Sequence, residues 1–382
     1  MNRNLVRSKF ILAIGILTFT FFAAGESQAA WGDIDPTFGT NGNYTDPTNG
    51  LYPGGMSVQP DGKILVTGYY NVSVNLTAKK RFFLRRYLAD GGLDLSFGNN
   101  GVAILTGLIV TNADYRGKEI TVLANGNIVV LGEGNGKLMA WTFYLAGNMK
   151  SSRSLVNFPV NAAHIAAIEN TVYVSAYRTA NSDLYLIRLD SNGSQDMTYN
   201  GSGYSLTIFG GSGGSDYSFH ALVAEPETGK LTIAGKLSTG YMAVDRKWAD
   251  GSNDSSLTSQ PETLGNSGVV IWGIVKQSSG EYVATWHNSP GTLIGCYTRF
   301  DTAGSVLSHY SLGFSTPSFL GIQEDGKVIA GSYISFKRQN AAFTTEETLA
   351  SLDGLLALTG GDKIVRLKKV NDDLVFSRLL TN

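Results

Sequence analysis

One phrase keeps returning along this chain, and its return limits the folds open to it more than any other feature. The first full copy runs from Gly54 to Thr106: GGMSVQPDGKILVTGYY, a loop, then RFFLRRYLADGGLDLSFGNNGVAILT. It reads as four short strands: A at Met56–Gln59, B at Lys63–Tyr69, C at Phe82–Leu88 and D at Val102–Leu105. Asp61-Gly62 and Asp90-Gly91 stand at the A–B and C–D turns. Asp-Gly between apolar runs favours a tight hairpin, because both central residues take positive φ. The A–turn–B phrase returns near Leu123, Ile168, Glu225, Lys276 and Gln323, and a C-strand phrase near Trp141, Leu184, Met242, Ile294 and Lys363. Six copies result, about 45–65 residues apart, and spacing in that range marks a repeat architecture.

A four-stranded sheet of this size cannot bury both its faces alone, whereas copies arranged radially bury them against each other. The expectation is an all-β, six-bladed β-propeller, with a one-dimensional β-solenoid as the competitor. Composition agrees with the class: 46 glycines, 9 prolines, and 18 each of tyrosine and phenylalanine suit glycine-rich turns between β-branched and aromatic runs. The expected blades span about 54–106, 117–158, 162–208, 217–267, 270–313 and 317–382, in a single domain over 31–382.

The phrases QPDGKILVTG, FFLRRYLADGGLDLSFGNNGVAI and IDPTFGTNGNYT closely resemble the delta-60 repeat, a β-propeller repeat of bacterial surface and exported proteins. The resemblance implies fold and export. It implies no catalytic activity and no catalytic residue. Asp35–Thr45 matches the end of a repeat, Asp94 to Ala103, with no repeat before it. Such a fragment commonly closes a ring as an outer strand, which removes an exposed sheet edge. Leu374–Leu380 is a second candidate for that place.

Residues 1–30 read as a removable export signal. Arg3, Arg7 and Lys9 precede an apolar run from Phe10 to Ala24, and Ser27-Gln28-Ala29-Ala30 supplies small residues for cleavage. The expected location is periplasmic or extracellular, without a lipoprotein anchor or membrane insertion. The only cysteine is Cys296, so the core rather than a disulfide must hold the chain together. The full chain carries a charge of −1; losing Arg3, Arg7, Lys9 and Glu26 would bring it near −3. That balance argues against nucleic acid as the main partner. A monomer is expected.

Several polar patterns recur. Arg86, Arg188, Arg246 and Arg299 each lie five residues before the glycine of a C–D turn, and Arg366 lies five before Asn371. Asp94, Asp196 and Asp254 follow three of those glycines at the third position. A pattern that repeats with the architecture reads as scaffold, with a basic ring for an anionic ligand as the alternative. Asp190–Asp196 resembles half a calcium loop but lacks the further oxygens that Ca²⁺ needs. Gly132–Gly136 and Gly210–Gly214 lack the strand–turn–helix context of a phosphate loop. No metal and no cofactor is indicated.

The A–B and C–D turns are short and alike, whereas the D–A and B–C connections vary and share the opposite face. Variable loops on a rigid scaffold are where binding usually resides. The longest departure is 332–362. There Thr344 with Glu347 reads as a capping box, Leu349, Leu352 and Leu356 recur on one helical face, and Gly360-Gly361 would stop the helix. A helical insertion of about 15 residues in the last blade is therefore expected. Glu119, His164, His220, Trp272 and Phe319 stand at the starts of inner strands and are the candidate ligand-binding residues, with packing at the blade tops as their plainer role. The expected function is a non-catalytic module that binds a protein or glycan through the variable face. A glycan hydrolase or lyase at the channel mouth and a structural surface protein are the rival readings.

Overall fold

The computed structural model describes residues 30–105, 113–155, 160–178, 183–207, 220–236, 242–257, 269–288, 295–313, 319–332, 335–344, 346–350, 354–359 and 363–380. The expected export signal over 1–30, except Ala30, and the Gly210–Gly214 and Gly360-Gly361 stretches lie outside them. A short strand, β1 (Asn43–Asp46), precedes the first blade. Blade one is β2 (Leu51–Val58), β3 (Ile64–Val74) and β4 (Thr77–Tyr87), edged by a bridge from Arg85 to Val102. Blade two is β5 (Tyr115–Val122), β6 (Ile128–Gly134), β7 (Lys137–Phe143) and β8 (Met149–Ser154). Blade three is β9 (Val160–Ile168), β10 (Thr171–Arg178), β11 (Asp183–Leu189) and β12 (Tyr204–Leu206). Blade four is β13 (Ala221–Glu225), β14 (Lys230–Lys236) and β15 (Met242–Trp248). Blade five is β16 (Val269–Lys276), β17 (Tyr282–Asn288), β18 (Gly295–Phe300) and β19 (Val306–Ser311). Blade six is β20 (Phe319–Ile322), β21 (Val328–Gly331), β22 (Ser335–Gln339) and β23 (Glu346–Ala350). Blade seven is β24 (Leu355–Leu358), β25 (Ile364–Val370), β26 (Asp373–Leu379) and, on the outside, β1.

The propeller therefore has seven blades, not six, and the helical insertion does not exist as such. Residues 346–350 and 355–358 are strands, the outer strand of blade six and the inner strand of blade seven. The reason lies in where the side chains of the apparent capping box go. The Thr344 hydroxyl accepts a hydrogen bond from Asn340 Nδ2 at 2.7 Å, inside a turn. Glu346 and Glu347 stand across the sheet from Gln339 and Arg338 and pair with them, with Arg338 Nε donating to Glu347 at 3.0 Å. The turn thus takes Thr344 and cross-strand pairing takes Glu347, the two groups that a helix start would need. Leu356 pairs with Arg366 in β24 and β25, and Leu352 lies outside the described residues. The Lys363 phrase, read above as a C strand, is accordingly strand B of blade seven. Leu374–Leu380 is strand C, and the N-terminal fragment lies outside it as strand D. Among the described residues the helical content is one 3₁₀ turn at Tyr199–Gly201. No helix among them is long and apolar enough to cross a membrane.

The B strands are rich in apolar residues on both faces because each sheet is covered on both sides. Successive residues of a strand point to opposite faces. Ile64 and Val66 accordingly join a cluster with Val365 and Phe376 of blade seven, while Leu65 joins Val130 and Trp141 of blade two. The same alternation holds in blade three, where Val172 and Val174 face blade two and Tyr173 faces blade four. Seven such apolar clusters occur, one at each blade-to-blade interface. Inner strands touch their neighbours in the order β2, β5, β9, β13, β16, β20, β24, and β24 touches β2, so the ring closes.

The recurrent arginines staple that ring. Arg86 Nε donates to Asp94 at 2.8 Å, Arg188 Nε to Asp196 at 3.0 Å and Arg246 Nε to Asp254 at 2.6 Å. The other oxygen of each aspartate accepts a hydroxyl and a backbone N–H from Ser96, Thr198 or Ser256. A fourth copy of this device joins the two ends of the chain: Arg378 Nε donates to Asp35 at 2.8 Å, and Thr37 takes the serine's place. Arg366, five residues before Asn371, instead donates to the Ser377 hydroxyl.

Candidate functional site

Glu119, His164 and Phe319 fall at one level of the ring, with Trp272 one residue before that level in blade five and His220 just ahead of β13. Pairing sets the level: Glu119 stands opposite Leu131, His164 opposite Ser175 and Phe319 opposite Gly331, the fourth, fifth and fourth residues of their B strands. Gly55 and Gly273 hold the same position in blades one and five. Trp272 is the extra residue of a β-bulge between Ile271 and Gly273, and Lys118 is its counterpart between Gly117 and Glu119. A bulge re-aims the side chains around it, and here it brings ionisable and aromatic groups to the inner strands. The room comes from blade one, where a Cβ on Gly54 or Gly55 would lie 2.2 Å from the carbonyl oxygen of Gly117 or Lys118.

Three of the candidates meet. Glu119 Oε1 lies 2.7 Å from His164 Nδ1, and its Oε2 accepts the Ile165 backbone N–H at 3.0 Å, so one carboxylate binds blade three twice. The His164 and His220 rings meet edge to face at 4.8 Å, and His220 Nε2 lies 2.9 Å from the buried Ser175 hydroxyl. Burial alone would lower the pKa of His164. The Glu119 charge and hydrogen bond, with the His220 carbonyl, outweigh it and hold His164 above the ordinary range. His220 has no such carboxylate; burial and the neighbouring His164 push it well below and keep it neutral.

Trp272 and Phe319 are elsewhere on the ring. The Trp272 indole N–H donates to His287 Nδ1 at 2.7 Å, which fixes that nitrogen as the acceptor, and burial lowers the His287 pKa. The Trp272 side chain remains 41% exposed. Phe319 lies against Phe336 at a centroid distance of 6.2 Å.

Sequence reasoning missed the cleft beside His164. About 550 Å³ of space opens between blades two and three on the face that carries the B–C turns, lined by Asp114, Arg116, Lys118, Glu133, Lys137 and His164 among others. Lys118 Nζ meets Glu133 Oε1 at 2.5 Å, and Arg116 lies 3.8 Å from Asp114. The legible signal was the insertion of Lys118 at the bulge and the charged residues flanking the Asn135-Gly136 turn, where both residues take positive φ.

The remaining motifs are turns and packing. Asp190 Oδ1 accepts the N–H groups of Asn192 and Ser194, both at 2.9 Å. No group of three or more His, Cys, Asp or Glu side chains among the described residues is placed to hold a metal ion. Burial pushes the Cys296 thiol up to about 11, which leaves it unreactive at neutral pH.

Comparison with known proteins gives the fold independently. Residues 59–97 and 170–199, parts of blades one and three, match a domain family of unknown function described as a β-propeller, DUF5122. The Dos1 propeller is similar over 89% of this chain and 94% of its own, with a TM-score of 0.54 at 11% identity. Raptor from Chaetomium thermophilum is similar over 89% of this chain but only 29% of its own, with a TM-score of 0.53, also at 11% identity. At this identity the likeness is one of fold. No curated protein sequence matches the chain.

Proposed function

We propose that the chain is an exported, non-catalytic binding module of the delta-60 repeat type, engaging a glycan or protein ligand at the cleft between blades two and three. The observation that carries this reading is the convergence of Asp114, Arg116, Lys118, Glu133, Lys137 and His164 on one concave space at the end of a rigid ring. Concave sites with a few convergent polar groups are where propellers and other scaffolds take ligands. Glu119 supports binding over catalysis, because both of its oxygens are held by blade three and neither is left to act as a general acid. The signal-like residues 1–30 support an exported chain that meets its ligand outside the cytoplasm.

The test is a glycan array and a pull-down from bacterial envelope material, run with the wild type and with Glu133→Ala/Lys137→Ala. Ligand retention should fall roughly tenfold or more in the variant, the loss that two lost polar contacts bring, with the melting temperature unchanged. Equal retention by the variant would remove the cleft from the function.

A further inference from the structure

Blade one carries a feature that its repeat does not require. Beyond Tyr70 and Arg81, β3 and β4 continue as a two-stranded ribbon, pairing Asn71 with Lys80, Val72 with Lys79, Ser73 with Ala78 and Val74 with Thr77. The turn at Asn75 and Leu76 takes positive φ at both residues, and Leu76 at its tip is fully exposed. The ribbon's base is tied to the rim of the cleft: Asp114 accepts the Lys80 backbone N–H at 2.9 Å, and Arg81 Nη1 donates to the Ala113 carbonyl at 2.7 Å. Tyr69 stands between the two, with Lys80 Nζ 4.9 Å and the Arg116 guanidinium 5.8 Å from its ring centre. Ribbon and cleft therefore form one continuous surface.

That surface is cationic on a chain whose net charge is −1. Lys80, Arg81, Arg116, Lys118 and Lys137 stand there against Asp114 and Glu133, with Lys79 beside them on the other face of the ribbon. Elsewhere basic side chains are mostly matched, as in the Arg–Asp staples. Lys79, Lys80 and Lys137 make no ion pair with any described residue. We infer that the ligand of this surface is an acidic glycan, a polysaccharide bearing carboxylates at intervals along a hydroxyl-rich chain. The inference rests on the binding reading above and names its ligand class. Charges without an ion-pair partner among the described residues supply the attraction for the carboxylates. Asp114 and Glu133 within the cleft accept from hydroxyl donors, as a neutral stretch of sugar offers, but would repel the dense phosphates of a nucleic acid. Tyr52 and Tyr69 stack on each other at 4.9 Å, and Lys369 Nζ sits 3.5 Å from the Tyr52 ring centre, so this pair leaves little open ring face for a base.

Affinity electrophoresis of the full chain tests this with four probes: polygalacturonate, neutral dextran, polyglutamate and a single-stranded DNA oligonucleotide. Polygalacturonate should retard the wild type most, and added salt should weaken that retardation. The variant Lys79→Glu/Lys80→Glu/Lys137→Glu should lose retardation by roughly tenfold or more, since charge reversal turns attraction into repulsion. Lys63→Glu/Lys327→Glu, which alters charge at A–B turns on the opposite face, should behave as wild type. Equal retardation by polyglutamate or DNA would overturn the glycan assignment. Retention of neutral dextran that survives the charge reversal would overturn the acidic-ligand inference and leave the binding reading standing. No retention of any probe, together with an empty glycan array and an empty envelope pull-down, would overturn both.

Discussion

Arg86 joins two blades through one guanidinium: Nε holds Asp94 of its own blade, and Nη1 donates to the Leu145 carbonyl of the next at 2.7 Å. Arg246 does the same toward Thr302, and Arg378 toward Ala89 across the closure of the ring. Both members of the Arg86–Asp94 pair are buried, so removing one leaves the other charge without a partner. Arg86→Ala should destabilise the protein by about 3–5 kcal/mol, the range for breaking a buried pair. A double-mutant cycle with Asp94→Ala, followed by chemical denaturation, should show strong coupling; additive losses would make the pair incidental. Three of these pairs were legible in the sequence because arginine and aspartate share one repeat at fixed spacing. The fourth was hidden because its halves, Asp35 and Arg378, sit at opposite ends of the chain. The signal existed: Asp35-Pro-Thr-Phe-Gly repeats Asp94-Leu-Ser-Phe-Gly, and an aspartate in that phrase requires an arginine on the preceding strand.

At the scale of the element, local pattern misled where tertiary pairing decides. Thr344, Glu347 and the spaced leucines satisfy a helix template, yet Glu346–Ala350 completes a sheet whose partner, Ser335–Gln339, supplies Lys337, Arg338 and Gln339 to its two glutamates. Helix propensity is a weak preference that a few cross-strand pairs override. The seventh blade vanished from the sequence reading for a related reason. Its inner strand has four residues, Leu355–Leu358, without the Asp-Gly turn that announced blade one. Its outer strand comes from the other end of the chain. The candidate site was half legible. Glu119 and His164 stand at equivalent positions of their inner strands and His220 just ahead of the next one, so the repeat itself brought them close. The cleft beside them was not, because it depends on the Lys118 bulge and on how two blades splay, which no single repeat records.

For the whole molecule, the same staples set the response to pH. Burial alone would raise the carboxyls of Asp35, Asp46, Asp94, Asp254 and Glu225, but hydrogen bonds and cationic partners outweigh it and hold each below the ordinary range. A carboxyl depressed by folding adds stability above its unfolded pKa of about 4 and loses that contribution as pH falls toward the folded value. The histidines act higher up and in opposition. His220, depressed, favours the fold above about pH 6.5, whereas His164, elevated, favours it below. The melting temperature should therefore fall steeply below about pH 4, where the depressed carboxyls are protonated. A melting temperature unchanged at pH 3 would show that the buried pairs contribute little.

The central claim is a seven-bladed ring closed by its own N-terminal strand, and a cross-link across that closure tests it most directly. Thr45 and Val375 face each other between β1 and β26. In a Thr45→Cys/Val375→Cys chain that also carries Cys296→Ala, mild oxidation should give an intramolecular disulfide, seen by mass spectrometry of the non-reduced tryptic digest. The melting temperature should rise by several degrees, because the bond removes freedom from a very long loop of the unfolded chain. If both thiols instead stay free and equally reactive in the folded protein, the N-terminal strand does not close the ring.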